Sequence, residues 1–209
     1  MLETLPQQRL TQDIHRFANL SHVAAFATEK DFMIEEVAEI ISFMREDITR
    51  ELMKAPFERK IFFNNKFGPL TRFSNGEWPV SYGALGRTTA GKEVAHHYGR
   101  KAAGNAAASR PVHYSIVRYR FSGEVVDLRS KLRDWPRLIS VDYTFCNGLG
   151  KEAHDGGLGA FFAPSAQHQG GTTVPAFIEE TLSSFVIEAT ARLTFNGGTL
   201  TEIKELPSS

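Results

Sequence analysis

A single cysteine in 209 residues removes two classes of chemistry at once. Cys146 has no partner for an internal disulfide, and a cysteine-built zinc site needs more thiolates than the chain owns, which fits a reducing compartment. An excess of charge is missing as well. Lys plus Arg equal Asp plus Glu at 24 each, so no net field argues for direct binding of nucleic acid or of a membrane surface. No apolar run exceeds about five residues, against the ~20 that cross a bilayer, and the opening MLETLPQQRL lacks a signal-peptide core. A cytoplasmic protein is expected. The phosphate-loop, dinucleotide, zincin and hydrolase-elbow signatures are absent from the sequence too. His96 and His97 do not make up for them, because adjacent helical residues point about 100° apart and do not easily face one ion. No metal is expected.

What is present is ordinary globular material, 42% hydrophobic and 23% charged, long enough to bury roughly 70% of its unfolded surface in one domain with an appendage. From Asp31 to about Met53, Phe32, Ile34, Val37, Ile40, Ile41, Met44 and Ile48 recur at three- and four-residue spacing, the stripe of an amphipathic helix. Just before it, DIHRFANLSHVAAFAT fits a strand or a short helix equally. From Phe57 onward the texture changes: KIFFNN, WPVSYGAL, HYSIVRYRF, EVVDL, LGAFFAPS and ARLTF are short aromatic and β-branched runs that predict strands. Two helices interrupt them. Thr88 or Thr89 caps the first, with Glu93 in its opening turns, and the second runs from about Tyr143 to Ala153 with Cys146, Leu149, Gly150 and Ala153 on one face. AQHQGGTT reads as a loop. The expected fold is α+β, with a mixed, mostly antiparallel sheet core over 57–209 and an N-terminal helical segment over 1–56 packed on it.

The richest stretch is PLTRFSNGEWPVSYGALGRTTAGKEVAHH, residues 69–97. Asn75 and Gly76 make a turn, and Val80, Tyr82 and Ala84 share one face of a short strand. Eleven residues further on, Glu93 can fold back toward the tyrosine. A carboxylate beside an aromatic ring suits a ribosyl cation, and an arginine such as Arg72 suits phosphate. Residue types alone leave two readings open: three walls of one pocket, or a surface turn followed by a solvated helix.

The wording of the motifs goes further. This stretch resembles the first block of the RES domain family, an Arg-Phe-Ser-Asn-Gly turn, a strand ending in tyrosine and a helix bearing a glutamate. DYTFCNGLGKEAHDGGLGAFFAPSAQHQGG resembles the second, with an Asp-Tyr-Thr helix start and a buried strand ending in Pro-Ser before a Gly-Gly loop. The resemblance covers about 57–206, and DIHRFANLSHVAAF is similar to the segment that carries the family's first arginine in an N-terminal strand. It implies a core similar to ADP-ribosyltransferases and an enzyme that cleaves the nicotinamide–ribose bond of NAD by phosphorolysis or hydrolysis, as the toxin of a toxin–antitoxin pair. NAD would be substrate, inorganic phosphate a co-substrate, and no bound cofactor is implied. Glu93, Arg72 and Tyr82 would be catalytic, and Arg16, Thr144 and Ser165 would bind substrate, with either arginine holding phosphate. Thr144 stands where the family has serine, Asn147 where it often has glutamine, and PSAQH lacks a basic residue common after that serine. Transfer of ADP-ribose to a macromolecule and a non-catalytic nucleotide-binding module are the alternatives. The N-terminal helix has three open uses: packing on the core, forming a homo-oligomer face, or receiving a protein antitoxin.

Overall fold

The computed structural model describes residues 1–19, 71–102, 112–196 and 199–206. The helix expected over Asp31–Met53 and the strand expected at KIFFNN lie outside them. In chain order the elements are β1 (Gln7–Asn19), β2 (Ser81–Ala84), α1 (Arg87–Ala102), β3 (Val112–Asp127), α2 (Thr144–Asp155), β4 (Ala160–Pro164), β5 (Thr172–Ala176), β6 (Leu182–Asn196) and β7 (Thr199–Leu206). Short 3₁₀ turns fall at Arg129–Lys131 and Pro136–Ile139, ahead of α2.

The strands form one sheet in the order β1-β2-β5-β4-β3-β6-β7, and β1 also pairs with β3, which closes five strands into a ring. The α+β class and the mixed, mostly antiparallel sheet are as expected, since β3–β4 is parallel and every other pairing is antiparallel. DIHRFAN resolves as strand: β1 runs beside β3 from Gln7 opposite Val126 to Asn19 opposite Tyr114. HYSIVRYRF and EVVDL are not two strands but parts of one. Ser122 and Gly123 between them stay extended because Thr11 and Leu10 of β1 pair across them, with the Thr11 and Ser122 hydroxyls 3.0 Å apart.

Alternation of side chains across the strands divides the interior. Ile14, Tyr119, Phe121, Phe162 and Val174 pack inside the ring. Ala90 and Ala95 of α1 cover Phe17, Ala84, Ile116 and Leu193 on one part of the outer face. On another part, Cys146, Leu149 and Ala153 of α2 meet Phe73, Trp78, Val126 and Phe161. The buried stripe of α2 is the one its sequence spacing predicts, Gly150 included. AQHQGGTT is corrected at its end: Thr172 and Thr173 begin β5, all of whose residues are buried. A strand buried on both faces and containing Pro175 shows no alternation, so its sequence looks like loop. α1 also begins at Arg87, which puts Thr88 and Thr89 inside the helix rather than at its cap.

Gly150 sets how closely α2 approaches the segment before β2. A Cβ there would lie 2.0 Å from the Phe73 carbonyl oxygen, a backbone atom that also accepts the Trp78 indole N–H. Gly148, two residues earlier, has nothing within 4 Å of that position. Alanine is the better helix former by about 1 kcal/mol, so the two sites separate propensity from packing. Gly150→Ala is expected to lower stability by about 2 kcal/mol, roughly 4–8 °C in Tm, whereas Gly148→Ala leaves Tm unchanged or raises it; thermal unfolding followed by circular dichroism checks both.

Candidate active site

The sequence-predicted residues fall into three groups. Glu93 and Ser165 meet directly. Ser165 follows β4, and its hydroxyl donates to Glu93 Oε1 at 2.5 Å while accepting the backbone N–H groups of Gln167 (3.2 Å) and His168 (3.0 Å). A serine hydroxyl has one proton and two lone pairs, and all three are engaged. Ser165 was expected to touch substrate; in the structure its hydroxyl holds the carboxylate of α1 against the end of β4. The loop after it is tied to α1 a second time, by Thr89 Oγ1 and His168 Nδ1 at 2.8 Å.

Arg72, Tyr82 and Thr144 form the second group, around the N-terminal end of α2. Arg72 Nη1 donates to the carbonyls of Leu138 (3.1 Å) and Ser140 (2.6 Å), and its guanidinium lies 4.9 Å over the Tyr143 ring. Tyr82 reaches the same turn from β2: its hydroxyl accepts the Phe73 N–H at 2.8 Å and donates to Thr71 Oγ1 at 3.1 Å. Burial pushes the Tyr82 phenol well above its ordinary range, so it stays a neutral donor. Asn147 completes the tie, giving Nδ2 to the carbonyls of Thr71 and Arg72, both at 2.9 Å. Thr144 was expected to offer its hydroxyl and helix N-terminus to an anion; in the structure the hydroxyl and one N–H of that terminus meet Asp142. Its Oγ1 and backbone N–H donate to Asp142 Oδ1 at 2.6 and 2.9 Å. Those bonds, the hydroxyl's first, hold the Asp142 carboxyl below its usual range, so the helix start already carries an anion of its own.

Arg16 stands in the third group, on the opposite face of β2 from Tyr82. Ile14 and Arg16 alternate toward the ring interior, and Arg16 Nη1 donates to buried Ser81 at a long 3.4 Å. Burial lowers its pKa, partly offset by the Tyr119 phenol beside it. Burial raises the Tyr119 phenol to about 12, with Arg16 and Ser81 opposing the rise, and its hydroxyl has no hydrogen bond of good geometry among the described residues. No carboxylate among the described residues pairs with Arg16. Among the described residues, this cation and this phenol keep hydrogen-bonding capacity that nothing uses.

The model of the RES domain matches residues 45–196. The chain belongs to the RES domain family. Among solved structures, this RES chain is similar to a chain of the crystal structure of the M. tuberculosis MbcT–MbcA toxin–antitoxin complex, with a TM-score of 0.49 and 14% identity over 96% of this chain and 86% of that one. No curated protein matches the chain. Among the described residues no helix of the RES chain is long and apolar enough to cross a membrane.

Asp142, Thr89 and His168 escape sequence reasoning, as do Tyr143 under Arg72 and Ser81 and Tyr119 beside Arg16. Thr89 carried a visible signal, since it precedes Glu93 by four residues and so shares its helix face. The Tyr82 geometry makes a stability prediction. Tyr82→Phe leaves the Phe73 N–H and the Thr71 hydroxyl without their partner and should lower unfolding free energy by about 1–3 kcal/mol. Urea denaturation reads it as a lower midpoint at unchanged slope; an unchanged midpoint would mean that the two bonds of the phenol add no net stability.

Proposed function

We propose that this RES chain is an NAD-degrading enzyme that cleaves the nicotinamide–ribose bond by phosphorolysis or hydrolysis, as the toxin of a toxin–antitoxin pair. Family membership supports the substrate class. The observation that carries the chemistry is the 2.5 Å contact of Ser165 with Glu93, which joins the first motif block to the second across 72 residues. A carboxylate held in one orientation by a charge-assisted hydrogen bond is prepared for positive charge on a neighbouring sugar.

In this account Glu93 faces the ribose. The bond from C1′ to the nicotinamide ring nitrogen breaks, its electron pair stays with that nitrogen, and the pyridinium becomes neutral nicotinamide. Positive charge then develops on C1′ and the ring oxygen, where the carboxylate stabilises the transition state more than the ground state. An oxygen of phosphate or water closes on C1′; when water attacks, its proton passes to solvent.

The two arginines separate by how much of each is in use. Arg72 spends Nη1 on two carbonyls and stacks on Tyr143, so it is a structural clamp for the turn before β2. Arg16 has one long hydrogen bond and an unpartnered phenol nearby, which supports Arg16 as the group that meets the pyrophosphate or the incoming phosphate. Tyr82 and Thr144 then build the wall around Arg72 instead of meeting the reacting atoms. A protein antitoxin as partner accompanies this proposal.

Glu93→Gln should lower the rate of NAD loss by about a hundredfold or more with Tm retained. Ser165→Ala removes the bond to a charged group, worth about 1.5–3 kcal/mol, and should slow NAD loss by roughly ten- to a hundredfold. Nicotinamide release measured by chromatography checks both. Full activity in Glu93→Gln would defeat the assignment, and radiolabel from adenine-labelled NAD appearing on macromolecule would favour ADP-ribosyl transfer.

A further inference from the structure

Thr89 and Glu93 stand four residues apart on α1, so they lie on one helix face about one turn from each other. Each receives a side chain from the same loop: Ser165 Oγ meets Glu93 Oε1 at 2.5 Å, and His168 Nδ1 meets Thr89 Oγ1 at 2.8 Å. The loop is closed on itself at its base, with Ser165 N–H donating to the Gly171 carbonyl at 2.9 Å and Gly171 N–H to the His168 carbonyl at 2.8 Å. One hydrogen bond to α1 would let this loop pivot about Ser165. Two along the helix axis fix its direction, and with it the direction from which Ser165 grips the carboxylate.

Gly171 adds an independent sign that the second contact is built into the loop. A Cβ there would lie 2.7 Å from both His168 Nδ1 and Thr89 Oγ1, the two atoms of the bond, and 2.9 Å from the His168 carbonyl oxygen. The glycine is thus the gap through which the imidazole reaches the hydroxyl. Thr89 is 4% exposed, so an unmade bond there would leave a buried polar atom without its partner.

We propose that His168, through Thr89, is a positioning residue for the Glu93–Ser165 pair, and that Gly171 is the residue that makes room for it. This rests on the assignment of Glu93 to NAD cleavage. His168 touches neither the carboxylate nor the ribose in this scheme; it keeps the loop from swinging, so its loss is felt in the transition state and hardly in substrate binding.

Steady-state NAD cleavage by the full chain tests the proposal, with Glu93→Gln measured alongside. His168→Asn can place an amide atom where Nδ1 stands, whereas His168→Gln places it near Nε2, out of line with Thr89. We expect His168→Gln and Thr89→Val to lower kcat about tenfold with KM within about twofold, and His168→Asn and Thr89→Ser to stay within about threefold of wild type. The double variant His168→Gln/Thr89→Val should be no slower than the slower single, because both changes break one bond. Gly171→Ala, with Gly148→Ala on α2 as comparison, should show the kcat loss only at 171. The proposal is overturned if His168→Gln and Thr89→Val keep wild-type kcat, if His168→Asn is as slow as His168→Gln, or if the two losses multiply. If Glu93→Gln itself keeps cleaving NAD, the functional assignment fails first; if it is inactive while His168→Gln runs at full speed, only the positioning role fails.

Discussion

The strand Val112–Asp127 has two edges and three neighbours, and the rest of the molecule follows from how that is resolved. β1 occupies one edge along its whole length, while β6 takes the first part of the other and β4 the last three residues, in parallel. The parallel pairing brings β4 out beside β5, and β5 brings in β2, whose Ala84 meets His15 of β1 and shuts the ring. Closure removes exposed edges from five strands and fixes which way their ends point. The end of β4 emerges beside α1, and that is where Ser165 finds Glu93.

Saturation of hydrogen bonds then sorts the candidate residues into supports and free donors. Ser165, Thr144 and Tyr82 each have a hydroxyl, the side-chain type one would first assign to a ligand, and each is engaged by the protein itself. Arg72 is tied to two carbonyls. Arg16 and Tyr119 are the opposite case, polar groups facing the ring interior with little to bond among the described residues. In the proposed reading the carboxylate and the under-used cation are the two ends of the chemistry, and the hydroxyls hold the frame between them.

The sequence made some of this legible, for reasons that can be named. The buried face of α2 follows from a 3.6-residue period, and Cys146, Leu149, Gly150 and Ala153 lie where that period puts them. β1 was ambiguous because its residues do not alternate polar and apolar: Ile14 shares the ring-facing side with Arg16 while Phe17 packs on the other face, and pairing with β3 decided it. β5 was missed because its burial on both faces hides the period of two. The Glu93–Ser165 contact could be expected only from the order of two family motifs, since 72 residues of chain separate the partners and ring closure alone brings them together. Thr144 shows the reverse limit: its hydroxyl was correctly placed at a helix start, yet nothing in its type revealed that Asp142 would claim it.

The most direct measurement is phosphorus NMR of NAD incubated with the purified full chain, with and without inorganic phosphate. The account predicts loss of the NAD signals, leaving ADP-ribose in either buffer if water is the nucleophile, or ADP-ribose 1″-phosphate only when phosphate is added if phosphate is. NAD signals unchanged in both buffers after prolonged incubation, or ADP-ribose recovered on macromolecule instead of free in solution, would contradict it.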